Sequence, residues 1–208
     1  LMLSLTASID AASLLPPNCD SQRQPATGSR TAPWVSWGSD VRNTRFRDSA
    51  AAGLTARDVS RLKLKWAFSL GGVANARSQP AVAAGRVFVG TESGSIFALD
   101  AESGCTWWSA RADMPVRSAI VYSASTAGRP VVFIGDVGAN VYAFDATTGE
   151  RLWKAHVDDH AAAIVTGPPQ LFDGVLYVPV SSYESVLPLQ PKYECCTFRG
   201  SVVALQAA

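Results

Sequence analysis

Two ungapped stretches offset by 45 residues constrain this chain more than any other feature: Ala98-Leu-Asp-Ala-Glu-Ser-Gly-Cys-Thr-Trp-Trp108 and Ala143-Phe-Asp-Ala-Thr-Thr-Gly-Glu-Arg-Leu-Trp153. From Val87 to Trp108 against Val132 to Trp153, 8 of 22 positions are identical, among them Phe88/Phe133, Gly90/Gly135, Asp100/Asp145, Gly104/Gly149 and Trp108/Trp153. A repeat of this length is one supersecondary unit that cannot bury its apolar face alone and stacks on its neighbours. In the shared turn, Asp accepts a hydrogen bond from a backbone N–H two residues on, and Gly supplies the positive φ that closes the turn. The Trp that follows is large enough to hold one unit against the next. These positions read as fold maintenance.

Each copy resolves into strand, tight turn, strand. The first runs Pro80–Gly85, Arg86–Gly90, Ser95–Leu99 and a strand opening at Thr106; the second runs Ser118–Tyr122, Val131–Gly135, Asn140–Phe144 and Arg151–Ala155. A third runs Pro168–Leu171, Val175–Val178 and Gly200–Leu205 and stops before its Trp. The expected class is all-β: a partial propeller of four-stranded antiparallel blades, about three of them, in an incomplete domain spanning 34–208 and truncated in the third blade. Between Val178 and Gly200 lie 21 residues, where Val89 and Gly94 are separated by four, so seventeen have been inserted into one turn. Insertions of this kind fall on one face of a repeat array and carry function.

Upstream, residues 1–33 carry Pro16-Pro17, Pro25 and Pro33 among small polar residues and read as a linker or leader remnant. The chain opens Leu1-Met-Leu-Ser without a basic stretch, so no intact secretory signal is read. Thr55 to Asp58 resembles a capping box opening a short helix to Arg61, and Leu62-Lys-Leu-Lys-Trp66-Ala-Phe68 alternates as a half-buried strand. With 18 basic and 17 acidic residues, the charge balance points to no nucleic-acid partner, and no apolar run is long enough for a membrane span. The four cysteines form no C-x-x-C or C-x-x-C-H arrangement, so neither zinc nor covalent haem is supported. No catalytic triad and no phosphate-binding glycine loop can be read. His156 and His160, flanking Asp158-Asp159, fall between strands and read as solvated loop residues.

The inserted turn holds Glu184, the adjacent pair Cys195-Cys196 and Arg199. Neighbouring Cα atoms sit about 3.8 Å apart, below the usual disulfide range, so the pair is either a small strained ring or two buried thiols.

The pattern Ala-x-Asp-x-x-Thr-Gly-x-x-x-Trp at 143–153 resembles the tryptophan-docking motif of quinoprotein dehydrogenases that use pyrroloquinoline quinone (PQQ). Trp37-Gly-Ser-Asp-Val-Arg-Asn-Thr-Arg-Phe46 and Leu62–Phe68 resemble that family's N-terminal region, and Lys192-Tyr-Glu-Cys-Cys-Thr-Phe-Arg-Gly200 its polyvinyl-alcohol dehydrogenase branch. The similarity covers about 34–208. It implies an eight-bladed propeller with PQQ on its axis over a calcium ion, and a disulfide between Cys195 and Cys196 packed on the quinone plane. It further implies cofactor-binding roles for Arg117, Thr166 (in Thr-Gly-Pro-Pro169), Ser181 and Arg199, and a calcium-ligand role for Glu184. Surface arginines are the plain alternative for Arg117 and Arg199. Two departures stand out: Ser182-Tyr183 replaces Gly-Ala, crowding the backbone beside the cofactor, and Arg77 or a neighbour stands where relatives have a glutamate, with Gln79 a possible polar substitute. The implied activity is oxidation of an alcohol to a carbonyl, with electrons passed to a cytochrome c in the periplasm. Its catalytic aspartate is expected beyond residue 208, which leaves no catalytic residue here and this piece alone inactive. The competing expectation is a cofactor-free propeller serving as a protein-assembly scaffold.

Overall fold

A computed structural model describes residues 17–20, 33–38, 44–70, 73 and 75–208. Three four-stranded antiparallel sheets follow one another along the chain. The first is β1 (Ala81–Ala83), β2 (Arg86–Gly90), β3 (Ser95–Asp100) and β4 (Thr106–Arg111), in that spatial order. The second is β5 (Val121–Thr126), β6 (Arg129–Gly135), β7 (Asn140–Asp145) and β8 (Arg151–His156). In the third, β9 (Ala163–Ile164) and β10 (Gln170–Phe172) both pair with β11 (Val175–Ser182), which pairs with β12 (Ser201–Gln206).

The register repeats with the sequence. Arg86 faces Asp100, Val131 faces Asp145 and Val175 faces Gln206, so Gln206 holds the place of the turn aspartate in the third copy. The all-β, partial-propeller architecture is thus present, with blade edges shifted by a few residues from the sequence reading.

Blades stack through their faces. Phe88, Ile96, Ala98 and Trp108 of the first blade meet Val132, Ile134, Tyr142 and Phe144 of the second. From the opposite face of the second blade, Val131, Phe133, Val141 and Ala143 meet Leu176 and Val178 of the third. Being covered on both sides explains why β6 and β7 read as nearly continuous apolar runs.

The docking tryptophans work in series. The Trp66 indole donates to the Ala101 carbonyl at 3.2 Å, Trp108 to Ala146 at 3.1 Å and Trp153 to Ala207 at 3.3 Å. Beneath two of these rings lie Gly104 and Gly149, at φ +75° and +79°, where an added Cβ would sit 2.7 Å from the ring of Trp66 or Trp108. Glycine is required at both on two counts, backbone conformation and space.

Three upstream expectations change, and one short helix was not expected. Leu62–Phe68 forms no ladder, because no strand lies beside it among the described residues; Trp66 and Phe68 dock on the first blade while Leu62 and Leu64 stay exposed. Only half of the Thr55–Asp58 box forms: Thr55 N donates to the Asp58 carboxylate, but Thr55 Oγ1 donates there too instead of accepting from Asp58 N, and the helix is the single 3₁₀ turn Val59–Arg61, ending where the sequence placed it. A four-residue helix, α1 (Ser49–Ala52), capped by Asp48, precedes it and lacks the apolar periodicity that would announce it. Residues 17–20 lie inside the stretch read as linker, yet Asn18 bridges to Thr106 in parallel and Cys19 forms a disulfide with Cys105. The segment 33–38 crosses the inner strands: Trp34 exchanges backbone hydrogen bonds with Val82, the Val35 carbonyl accepts from Tyr122 N, and Ser36 Oγ accepts from Gln170. The rest of the Trp37–Phe46 motif falls partly outside the described residues.

Candidate functional site

Strands of a meander alternate in direction, so the turns carrying the tryptophan contacts share one end of the blades. The connections β2–β3, β4–β5, β8–β10 and β11–β12 share the other, and every candidate cofactor- or metal-site residue named from the sequence lies there or at its rim. Arg77, Arg117 and Thr166 each stand four residues ahead of the first residue of an inner strand, at Ala81, Val121 and Gln170. The same step in three copies brings three different side chains to one end.

Arg117 is half-buried and grips Glu92 of the β2–β3 turn, its Nε 2.9 Å from Oε1 and its Nε and Nη2 each 3.1 Å from Oε2. Arg77 approaches the same carboxylate at 3.5 Å. The Arg117 guanidinium lies 6.0 Å from the Tyr183 ring centroid, within cation–π range. Two cations on one carboxylate leave this three-residue group net positive with guanidinium donors, which suits an anionic planar ligand. Glu92 is the residue that reading the sequence missed. The equal placement of Arg77 and Arg117 ahead of their strands was the available signal, since two arginines converging on one end call for a carboxylate between them.

Thr166 and Ser181 come together, Oγ1 to Oγ 3.2 Å, because β9 pairs with the far end of β11. Gln79 is occupied elsewhere: its Nε2 donates to the carbonyls of Ser36 and Trp37 at 3.2 and 2.9 Å. The two departures at 182–183 acquire roles. Ser182 Oγ accepts from Glu184 N at 2.8 Å, capping the 3₁₀ turn Tyr183–Ser185, and Tyr183 supplies the ring beside Arg117.

Glu184 is buried, and its carboxylate is filled by donors. Oε1 accepts from Tyr193 OH at 2.6 Å and Thr197 N at 2.9 Å, and Oε2 accepts from Phe198 N at 2.9 Å. The Tyr193 phenol, then the two amides, and His160 more weakly, pull its pKa down to about 2 against the opposing effect of burial. The same hydrogen bond pushes the Tyr193 phenol up.

His160 belongs to this cluster, which corrects its reading as a solvated residue. Its Nδ1 accepts from Ala162 N at 3.1 Å, its Nε2 lies 2.9 Å from Thr197 Oγ1, and its ring meets Phe198 edge-on at 5.4 Å. His156 is exposed, with Nδ1 3.2 Å from Asn140 Oδ1.

Cys195 and Cys196 are bonded to each other across a cis peptide and are exposed on the loop, which excludes buried thiols. Arg199 is exposed and folds back on its own loop, donating to the Phe198 carbonyl at 2.8 Å and the Cys196 carbonyl at 3.4 Å. The structure therefore joins Arg117, Tyr183 and Glu92, joins Thr166 to Ser181, and gathers Glu184 with the inserted loop.

The fit to the implied cofactors differs between them. Arginines, paired hydroxyls and a flat disulfide at one end suit PQQ, which carries three carboxylates and an ortho-quinone. Glu184 does not suit a calcium ion, which needs several unoccupied oxygen ligands. Among the described residues, no three His, Cys, Asp or Glu side chains gather into a metal-holding group.

Repeating blades, docked tryptophans and this decorated end define a PQQ-repeat propeller, and a family model described as "Outer membrane protein assembly factor BamB" matches residues 37–207. The chain belongs to that family, PQQ_2. It is also 39% identical over 194 residues, 92% of its length, to a "Polyvinylalcohol dehydrogenase" of Pseudomonas sp, and 37% identical over 97% of its length to one of Sphingopyxis sp. (strain 113P3). It spans 30% and 31% of the lengths of these two relatives. Among solved structures, it resembles a europium-containing methanol dehydrogenase (TM-score 0.66, 22% identity, 84% of this chain and 30% of that one). It likewise resembles the quinohemoprotein alcohol dehydrogenase of Comamonas testosteroni (TM-score 0.67, 20% identity, 86% of this chain and 26% of that one). These two likenesses concern the fold. The resemblance to PQQ quinoproteins, polyvinyl-alcohol dehydrogenases among them, holds.

Proposed function

We propose that this chain is part of a PQQ-dependent alcohol dehydrogenase that oxidises an alcohol, polyvinyl alcohol among the candidates, to a carbonyl. The observation that carries the reading is the 39% and 37% identity to polyvinyl alcohol dehydrogenases over 92% and 97% of the chain. When bound, the quinone supplies a two-electron oxidant. Arg117 and Arg77 would hold its carboxylates, with Glu92 orienting the guanidinium of Arg117. Thr166 and Ser181 would donate hydrogen bonds to it, and Cys195-Cys196 would present a donor-free surface to the ring. Arg199 adds a further cation on the inserted loop at the same end. The proton-accepting aspartate comes from elsewhere in the protein, and electrons leave to a cytochrome c. Calcium enters as the ion that the resemblance implies, with ligands we place outside the residues described here. Two disulfides favour an oxidising compartment, the periplasm.

The family description favours a second reading, a cofactor-free assembly scaffold. Titration of the full-length protein with PQQ and calcium separates the two. The dehydrogenase reading expects saturable change in the quinone absorbance and dye-linked oxidation of alcohols. Arg117→Ala should weaken PQQ binding by about tenfold or more, the loss of a charge-assisted pair. No spectral change at saturating quinone, with no alcohol oxidation, would leave the scaffold.

A further inference from the structure

We propose that Glu184 is the anchor of the inserted loop and not a metal ligand: it is the positioning residue that sets the Cys195-Cys196 disulfide and Arg199 on this end of the propeller. Besides Glu184, the loop is held at its ends, by Tyr183 beside Arg117 and by Phe198 against the cluster of Ala139, Ala163 and Val180. Between β11 and β12 it contains two 3₁₀ turns, Tyr183–Ser185 and Leu187–Leu189, and then no regular structure to Ser201. Most of its side chains are exposed, Leu189 at 86% and Val186 at 51% among them. Against that background Glu184 is 8% exposed, the single fully enclosed residue of the stretch 183–200.

Its carboxylate closes the loop from both sides of the disulfide. Tyr193 OH reaches it from two residues before Cys195, and the amides of Thr197 and Phe198 reach it from just after Cys196. The disulfide is the apex of a small arch with one carboxylate as its keystone. The arch is tied to the connection between β8 and β9 through His160, whose Nε2 meets Thr197 Oγ1 and lies 4.0 Å from Glu184 Oε1, and whose ring packs on Phe198. A carboxylate accepting a phenol and two consecutive amides is satisfied as an acceptor of hydrogen. Calcium would need those same lone pairs, so binding it here would break the arch.

The anchoring is read without any cofactor. Only the identity of what the disulfide is positioned against rests on the dehydrogenase reading. The test uses the full-length protein and measures the rate at which a water-soluble phosphine reduces Cys195-Cys196, followed by alkylation and mass spectrometry. Cys19–Cys105 is the internal control for general unfolding. Glu184→Gln turns an acceptor oxygen into a donor facing an amide, and should speed reduction of Cys195-Cys196 by about tenfold while Cys19–Cys105 stays at the wild-type rate. Tyr193→Phe removes one donor and leaves the carboxylate; it should move the rate in the same direction by a smaller factor, and it keeps the test open if Glu184→Gln fails to fold. Calorimetric titration with calcium should give the same stoichiometry for wild type and both variants. Reduction rates within twofold of wild type in both variants would overturn the proposal, and so would loss of one bound calcium in Glu184→Gln with none lost in Tyr193→Phe. Absence of PQQ binding in the wild type would sink the dehydrogenase reading and leave the anchor untouched.

Discussion

A carboxylate held by a phenol and two amides is stabilised in its charged form, and its consequence for pH has a definite sign. Glu184 sits at about 2 in the folded protein against an ordinary value of 4.5. Its contribution is complete above the unfolded value and is lost as pH falls from 4.5 towards 2, where the folded carboxylate also protonates. Hydrogen-exchange protection of the Thr197 and Phe198 amides, corrected for intrinsic rates, should therefore hold at neutral pH and decline through that interval. Protection that stays flat across it would contradict the hydrogen bonds. At this scale the sequence was only partly legible. Arg117, Thr166, Ser181 and the cysteine pair were singled out because they stand in contexts that resemble family motifs, and the fold brings Thr166 to Ser181 and joins Cys195 to Cys196. Glu92 and His160 were not, because each acts through a partner more than 20 positions away, Arg117 for one and Thr197 and Glu184 for the other. The shared step of Arg77 and Arg117 ahead of their strands calls for a carboxylate at that end, but periodicity does not say which one, and it carries no trace of the partners of His160.

The unit of assembly is a blade with its tryptophan, and the tryptophan spans two of them. Trp108 lies in β4, is almost fully buried, packs on Phe88 of its own blade at 5.9 Å and donates to Ala146 of the next. Replacing it by Ala removes apolar contact on both sides and should cost about 3–5 kcal/mol, read as a shift in the denaturant midpoint. Gly149→Ala should destabilise by a related route, since its Cβ meets the same ring and its backbone sits at φ +79°. If Trp108→Ala and Gly149→Ala prove additive, the ring and the glycine do not share one contact and the docking account is wrong. The repeat made these elements legible, because turn chemistry and the following aromatic are local signals. The strap at 17–20 was illegible for the opposite reason. Asn18 pairs with Thr106, and Cys19 bonds Cys105 across 86 positions, in a stretch whose prolines argue for an open linker. Closing so long a loop by a disulfide removes about 4–5 kcal/mol of unfolded-chain entropy in the simple model, enough to seat a segment with no propensity of its own. Leu62–Phe68 failed differently. Its alternation is genuine, but alternation describes a face and not a neighbour, and a ladder needs both.

Among the described residues, stacking leaves the third blade with one face covered and one exposed. Leu176, Val178 and Leu205 point to the second blade, while Phe172, Tyr177 and Val202 point away and are 73%, 40% and 68% exposed. Register places them together, Phe172 opposite Val175, Tyr177 opposite Ala204 and Val202 opposite Pro179, so the exposed apolar residues form one surface and not scattered points. The corresponding face of the first blade is covered by the second. A contiguous apolar sheet face drives association in water, because burying it against anything apolar recovers transfer free energy. The 208-residue chain on its own should therefore self-associate, with apparent mass in light scattering rising over the micromolar range. Charge on the bare face should suppress this without disturbing the blades: Phe172→Glu with Val202→Lys should shift the chain towards monomer while leaving the near-ultraviolet spectrum of the docked tryptophans unchanged. Those substitutions do not touch the loop end, so accessibility of Cys195-Cys196 to reductant should be the same before and after. A wild-type chain that stays monomeric at about 100 µM would mean that the face is not a driver of association, and that some other part of the chain folds over it in solution.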